Sequence, residues 1–300
     1  MAQDLKKLTG VFAPVVTPFR CDEVVLEDLT FNLRKLSQTR LTGYLALGSN
    51  GESKSLSDEE QNQVLDVFAQ EKGRKVVMVG TGCESTRQTI EKSKAASKMG
   101  FDYVSVLTPH YFAKRMDGPT LRDYYERIAD SIDIPVVLYN APGFAGGVEI
   151  PPQTVAELSR HRNIIGMKDS SPTGPAKFLA CLDPAEDFSV LAGSANLFYP
   201  ALQLRAAGGV LSLANILPDP CCDLYELFTQ GRFDEARELH FRLARLNQAI
   251  SGVWGVAGVK AAMNVAGFKG DQPRHPLKAV SDEDIPQIRD KMVDEGFLSS

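Results

Sequence analysis

The sequence has few residues arranged to bind a metal or to form disulfide bonds. Its five cysteines form no C-x-x-C pair, and its four histidines show no spacing typical of metal ligands. Neither a zinc site nor a disulfide framework is indicated, so we expect no metal. This use of cysteine fits a reducing compartment and predicts a cytoplasmic protein. The cysteines are Cys21, Cys83, Cys181, Cys221 and Cys222.

The sequence also lacks the features of a nucleic-acid-binding or membrane protein. Its net charge is -5 with a pI near 5.5, and no basic run offers a footprint for a phosphate backbone. No apolar segment is long enough to span a bilayer, and the polar stretch Met1–Gly10 lacks the apolar core of a signal peptide. We therefore expect a soluble intracellular protein that binds neither nucleic acid nor membrane.

Eight short apolar runs alternate with helical patterns through residues 1–217. They are spaced by roughly the thirty residues that a strand–helix–strand unit needs, and they lack the alternation of half-exposed strands. Eight such units predict a closed (β/α)8 barrel, the TIM barrel fold. Residues 218–300 show only helical patterning and predict an appended C-terminal helical bundle. The predicted strands are Gly10–Val16, Gly43–Leu47, Lys75–Val79, Tyr103–Leu107, Ile134–Tyr139, Ile164–Lys168, Phe188–Leu191 and Val210–Leu213.

Local signals indicate where several helices begin and end. Ser57–Glu60 has the spacing of a capping box, which predicts a helix start. Gly100 and the pair Gly208–Gly209 are typical of residues that end a helix. In the C-terminal part, Phe228 and Leu246 fit the apolar face of one helix.

The predicted strand ends carry a distinctive set of side chains. Active sites of this fold lie at the C-terminal ends of the strands. The set is rich in hydroxyls and amides, includes two tyrosines and one lysine, and has almost no carboxylate. That composition suits Schiff-base chemistry with a phenol as proton relay. The residues are Thr17, Ser49, Asn50, Thr81, Tyr111, Tyr139, Lys168, Gly193 and Ser194.

Lys168 closes the sixth predicted strand, and Tyr139 ends the fifth. A lysine at a strand end often carries its charge outward, and a strand tyrosine is often a core aromatic. At the mouth of an apolar interior, however, burial disfavours an ammonium, and a neutral amine can form a Schiff base with a ketone. Because adjacent strands lie about 5 Å apart, we expect the phenol and the amine to reach one substrate.

Two glycine-rich segments follow predicted strands. Gly48-Ser49-Asn50-Gly51, which we call the glycine turn, can present polar groups to an anion such as a carboxylate, although such turns also form for backbone geometry alone. Gly80–Ser85 lacks both the dinucleotide fingerprint and the ending of a P-loop. We therefore expect no cofactor.

Three motifs resemble those of the dihydrodipicolinate synthase / N-acetylneuraminate lyase family of pyruvate-handling class I aldolases. Gly48–Glu52 is similar to the family's G-T/S-T/N-G-E, Tyr139–Pro142 to its Y-N-x-P, and Gly166–Ser171 to its G-x-K-D-S/T. The three occur in the family's order, on the expected strands, and the resemblance runs nearly end to end.

The resemblance implies a role for each matching residue. Lys168 would form the Schiff base with the 2-oxo acid, and Tyr139 would move the proton at the bond made or broken. Ser49 and Asn50 would hold the pyruvate carboxylate. Tyr111 is similar to the tyrosine that family members insert into a neighbouring subunit's site, and the family is usually a homotetramer. We also expect substrate contacts from Gly193 and Leu211.

One position departs from the synthase pattern. The synthase has an arginine two residues after Y-N-x-P, which binds the second substrate's carboxylate, and this chain has Phe144 there. A phenyl ring cannot pair with a carboxylate. Gly48–Glu52, Gly82–Thr86 and Gly166–Ser170 are instead most similar to 4-hydroxy-2-oxoglutarate aldolase, with fungal 2-keto-3-deoxy sugar-acid aldolases also similar.

The sequence therefore predicts a lyase that reversibly cleaves a 4-hydroxy-2-oxo acid to pyruvate and an aldehyde. The alternatives are a synthase that condenses pyruvate with aspartate semialdehyde and a 2-keto-3-deoxy sugar-acid aldolase. A non-enzymatic 2-oxo acid sensor on a degenerate barrel would require a damaged lysine–tyrosine pair, and both residues are present.

Overall fold

The computed structural model describes residues 8–183, 185 and 187–299. Eight strands form one closed barrel, in which strands consecutive along the chain are neighbours and the first adjoins the eighth. The predicted (β/α)8 barrel with a C-terminal helical extension is confirmed. The barrel strands are β1 (Gly10–Pro14), β2 (Gly43–Ala46), β3 (Val76–Gly80), β4 (Tyr103–Leu107), β5 (Val136–Asn140), β6 (Ile164–Asp169), β7 (Ser189–Ala192) and β8 (Gly208–Val210).

Helices alternate with the barrel strands, and the last three helices follow the eighth strand. Ser57 accepts from the Glu60 N–H while Glu60 accepts from the Ser57 N–H, so the predicted capping box forms. Gly100, with φ of 74°, follows the helix that it was expected to end. The helices are α1 (Leu26–Ser37), α2 (Asp58–Glu71), α3 (Thr86–Lys98), α4 (Gly118–Asp130), α5 (Pro152–Leu158), α6 (Ala176–Leu179), α7 (Phe198–Gln203), α8 (Pro218–Thr229), α9 (Phe233–Val265) and α10 (Ile285–Asp294).

The eighth strand differs from its predicted position. The pair Gly208–Gly209 begins β8 instead of ending a helix, and Ser212–Asn215 forms a 3-10 turn. A Cβ atom on Gly208 would lie 2.0 Å from the carbonyl oxygen of Gly10. The glycine is therefore needed because two strands approach closely, a reason that the linear pattern does not reveal.

The C-terminal helices also differ from expectation. Phe228 belongs to α8, which ends at Thr229 before Gly231, a residue with φ of 77°. Phe228 and Leu246 therefore do not share one helix. Within α9, Gly255 adopts a non-helical φ of 58° and ψ of -137°. Among the described residues, no helix is both long and apolar enough to cross a membrane.

Contacts divide the chain into two compact units. The described residues form a first unit within Met1–Gly10, Val76–Gly193 and Pro200–Gly209, and a second unit within Val11–Lys75, Ser194–Tyr199 and Val210–Ser300. Lys168 and Tyr139 belong to the first unit, and the glycine turn belongs to the second. The domain boundary between residues 217 and 218 stays a prediction.

The pairing of β5 with β6 contains a register shift of one residue. Val136 pairs with Ile164, but Val137 pairs with Gly166, which leaves Ile165 as an extra residue in β6. Beyond the shift, the last residues of the two strands pair in step. The shift determines which residue of β6 stands opposite each residue of β5.

We expect Gly166→Ala to destabilise the protein by about 1–3 kcal/mol, because overpacking forces neighbouring groups apart. A Cβ atom at this position would lie 2.4 Å from the carbonyl oxygen of Ser189 on β7. Urea unfolding measures the change. Gly143→Ala is the control, since a Cβ atom there would have no heavy atom of another residue within 4 Å beyond its chain neighbours. Equal stability of the two variants would contradict the expectation.

Candidate active site

Lys168 and Tyr139 meet at the ends of β6 and β5. The two residues pair across the strands, and the Lys168 Nζ atom lies 4.3 Å from the centroid of the Tyr139 ring. Their exposed fractions are 5% and 4%. The amine is therefore shielded from bulk solvent, and it contacts the tyrosine ring directly.

A buried polar network lies one residue beyond this pair. Asn140 Nδ2 donates to Asp169 Oδ1 at 2.8 Å, and Asn140 Oδ1 accepts from the Ile150 N–H at 2.9 Å. Asp169 also accepts from the N–H and the hydroxyl of Ser171, at 3.1 Å and 2.9 Å. Asn140 thus uses its donor and its acceptor, which ties the ends of β5 and β6 together next to the lysine and the tyrosine.

Burial controls the protonation of Asp169, whose side chain lies in this network. Desolvation raises the pKa of the Asp169 carboxyl above its usual value, while the hydrogen bonds from Asn140 and Ser171 act in the opposite direction. A carboxyl group whose charged form is disfavoured by burial therefore follows the candidate Schiff-base lysine directly.

Gly193 lies where the chain passes close to the end of β6. Its N–H donates to the Asp169 carbonyl oxygen at 2.7 Å. A Cβ atom on Gly193 would lie 2.0 Å from Ser170 Oγ and 2.6 Å from that carbonyl oxygen. The structure therefore gives Gly193 a packing role, and its predicted contact with substrate stays a prediction.

Tyr111 extends away from the buried pair. Its side chain is 79% exposed and packs edge-to-face on Phe112, with ring centroids 5.0 Å apart. Glu84 Oε2 accepts from the N–H groups of His110 and Tyr111, at 2.9 Å and 2.8 Å. The carboxylate of Glu84 thus holds the backbone that presents Tyr111, a role that the sequence did not reveal.

Phe144, at the position of the synthase arginine, ends the 3-10 turn Pro142–Phe144 after β5. Its side chain is 61% exposed. An aromatic ring held in solvent offers an apolar surface and no positive charge.

The glycine turn of the second unit has an unusual backbone. Leu47 before it and Glu52 after it adopt φ of 53° and 49°, a region that non-glycine residues seldom occupy. Asn50 Nδ2 donates to Ser212 Oγ at 2.7 Å. The 3-10 turn Ser53–Ser55 follows, and helix α2 begins only at Asp58.

Other residues predicted at strand ends have structural partners. Thr81 Oγ1 lies 2.9 Å from Ser93 Oγ, and the Ser194 hydroxyl accepts from the Asn196 N–H at 3.3 Å. The Leu211 N–H donates to the Phe12 carbonyl oxygen at 3.0 Å, and the Leu211 side chain is fully buried. These hydrogen bonds give all three residues a structural role, and the predicted substrate contact of Leu211 stays a prediction.

The model of the dihydrodipicolinate synthetase family matches residues 7–294. The 4-hydroxy-tetrahydrodipicolinate synthase of Methanospirillum hungatei is 36% identical over 286 residues, which cover 94% of this chain and 97% of that protein. These matches confirm the resemblance to the family that the three motifs indicated.

Solved structures are similar over the same length. A monomeric dihydrodipicolinate synthase variant has a TM-score of 0.88 at 28% identity and covers 97% of this chain and 98% of its own. A prophage protein of E. coli K12 from the same family, solved with pyruvate, has a TM-score of 0.88 at 25% identity, with 97% and 99% coverage.

We expect Asp169→Asn to gain stability relative to the native protein as the pH rises from 4 to 7. Because burial raises the pKa of Asp169, the stability that this group contributes is complete below its unfolded pKa and is lost as the pH rises through its folded pKa. An amide has no such loss. Urea unfolding of both proteins at the two pH values measures it, and a pH-independent difference would contradict the expectation.

Proposed function

Because the chain belongs to the dihydrodipicolinate synthetase family, we propose that Lys168 forms a Schiff base with pyruvate. By this membership the chain is a carbon–carbon lyase of the aldolase and synthase class. The observation that carries the proposal is the buried contact of Lys168 Nζ with the Tyr139 ring, at 4.3 Å from its centroid. A nucleophile and a proton-transfer group at one site are the parts that this chemistry needs.

The proposed reaction uses the two side chains in turn. Lys168 Nζ adds to C2 of pyruvate, and loss of water gives the imine. Loss of a proton from C3 gives an enamine, whose C3 forms a bond to the aldehyde carbon. Tyr139 relays the proton that the aldehyde oxygen takes up, and water then releases the product and the free lysine. Cleavage of a 4-hydroxy-2-oxo acid follows the same steps in reverse, with Tyr139 accepting the 4-hydroxyl proton.

Within this proposal, Ser49 and Asn50 hold the carboxylate of the keto acid. The support is the match of the glycine turn to the family motif and its unusual backbone, with left-handed residues on both sides. Residues held in such conformations are concentrated at binding and catalytic sites.

Two readings of the aldehyde partner have different support. The relative from Methanospirillum hungatei is a 4-hydroxy-tetrahydrodipicolinate synthase, which favours condensation of pyruvate with aspartate semialdehyde over our first prediction, cleavage of 4-hydroxy-2-oxoglutarate. The exposed ring of Phe144 instead favours an aldehyde that needs no arginine there. We propose the condensation as the leading reading and the cleavage as the second.

We further propose that Tyr111 enters the site of another copy of the chain, in a homotetramer. Its support is a side chain that is 79% exposed, packed edge-to-face on Phe112 and held by Glu84 through the backbone. A similar structure is a monomeric variant, so the assembly needs a direct measurement by sedimentation equilibrium.

A cytoplasmic location is also proposed. All five cysteines are free thiols in the structure, and the chain therefore needs no oxidising compartment to fold.

Borohydride reduction with pyruvate is expected to add one reduced pyruvate to Lys168, located by peptide mass spectrometry. Lys168→Ala should lose the adduct and all turnover, while Tyr139→Phe should keep the adduct and lose about 10²–10⁴-fold in kcat. Lys98→Ala, which changes an exposed lysine of α3, is the control and should keep both. An adduct elsewhere than Lys168 would disprove the proposal.

Phe144→Arg is expected to raise kcat/KM for aspartate semialdehyde about 10- to 100-fold, because a hydrogen bond to a charged group contributes about 1.5–3 kcal/mol. Phe144→Leu, which adds no charge, is the control and should give no gain. Coupled assays of condensation and of aldehyde release from 4-hydroxy-2-oxo acids measure the two reactions. If the native protein already condenses aspartate semialdehyde efficiently and the arginine adds nothing, Phe144 does not select the aldehyde.

A further inference from the structure

One residue on each side of the glycine turn has unfavourable backbone angles, which other contacts must stabilise. Leu47 has φ of 53° and Glu52 has φ of 49°. Such conformations are unfavourable for side chains larger than glycine, and they persist only where surrounding contacts hold them. The contacts of Glu52 are therefore informative.

Glu52 is buried, although its side chain is charged. Its exposed fraction is 5%, its Oε1 atom lies 2.5 Å from Lys260 Nζ, and its Oε2 atom accepts from the Arg274 N–H at 2.9 Å. The carboxylate thus contacts two residues of the C-terminal segment, and both contacts act on the residue directly after the turn.

Lys260, on α9, is also connected to the turn through Thr17. Its side chain is fully buried, and Nζ donates to the carbonyl oxygens of Thr17 and Gln272, at 2.7 Å and 2.8 Å. Thr17 Oγ1 in turn donates to the Gly51 carbonyl oxygen at 2.8 Å. One ammonium group therefore restrains both Glu52 and, through Thr17, Gly51.

Stability alone is a poor explanation for this arrangement. Removing two charges from water is costly, and burial lowers the pKa of Lys260 to about 8 even though Glu52 acts to raise it. Apolar residues of similar volume often stabilise a protein as well as a buried ion pair does. What an ion pair adds is a fixed geometry of the groups around it.

We propose that Lys260 is a positioning residue, whose buried contacts with Glu52 and Thr17 fix the glycine turn in the conformation that binds the keto-acid carboxylate. This inference rests on the proposed function, in which Ser49 and Asn50 hold that carboxylate. It assigns a role in substrate binding to a residue of the C-terminal segment, outside the three family motifs.

The test is the concentration of pyruvate that gives half-maximal borohydride trapping at Lys168, which needs no knowledge of the aldehyde. Lys260→Met is expected to raise this concentration about 10- to 100-fold, since small misplacements of positioning groups have effects of that size. The matched control is Lys75→Met. Lys75, in the same unit, is half-buried and its Nζ donates to the carbonyl oxygens of Thr39 and Leu41, at 2.6 Å and 2.7 Å. It should lose stability and keep the native pyruvate requirement.

A merely structural role would lower the stability or the active fraction of both lysine variants without changing half-saturation. If Lys260→Met does not fold, the double variant Glu52→Gln/Lys260→Met, which leaves no unpaired buried charge, is measured instead and should show the same raised requirement. A native half-saturating concentration in the folded variant overturns the inference while Lys168 trapping stands. Absence of trapping in the native protein overturns the proposed function itself.

Discussion

The proposed chemistry of this protein depends on a contact between an amine and an aromatic ring, both shielded from water. Lys168 Nζ lies 4.3 Å from the Tyr139 ring centroid, and neither side chain is more than 5% exposed. The contact forms because parallel strands end at the same edge of a barrel, so residues distant in sequence meet there. Neither residue could act in this way at the opposite ends of the same strands.

Buried polar groups next to this contact are hydrogen-bonded to one another and to the backbone. Asn140 bridges Asp169 and the backbone of Ile150, and Gly193 approaches Asp169 too closely for any larger residue. A buried network with every member satisfied is rigid, whereas a half-satisfied one is costly. The ends of β5 and β6 are therefore held by hydrogen bonds and close packing, and Lys260 contacts Glu52, next to the glycine turn, in a comparable manner.

Much of the fold could be predicted from the sequence because its signals are local. The apolar runs, the capping box at Ser57–Glu60 and the lysine at the end of a strand depend on near neighbours in the chain. The role of Gly208 could not be predicted, because the atom that forbids a side chain there belongs to Gly10. Lys260 was missed for a similar reason: a charged residue in a helical pattern suggests an exposed face, and its partner Glu52 lies far away in the sequence. The identity of the partner aldehyde could not be predicted, because no linear motif identifies the groups that would bind it.

The extra residue Ile165 in β6 has a consequence for comparing related proteins. If Ile165 were paired in step, the register that begins with Val136 opposite Ile164 would set Met167 opposite Tyr139, and Lys168 would point to the other face of the sheet. A homologue that lacks this residue would pair in step throughout and would still set its lysine opposite the tyrosine, whereas a homologue that keeps the residue but lacks the shift would turn its amine to the other face. The extra residue and the shift thus compensate each other, so an alignment of related proteins has to consider both before it assigns a facing direction to the lysine.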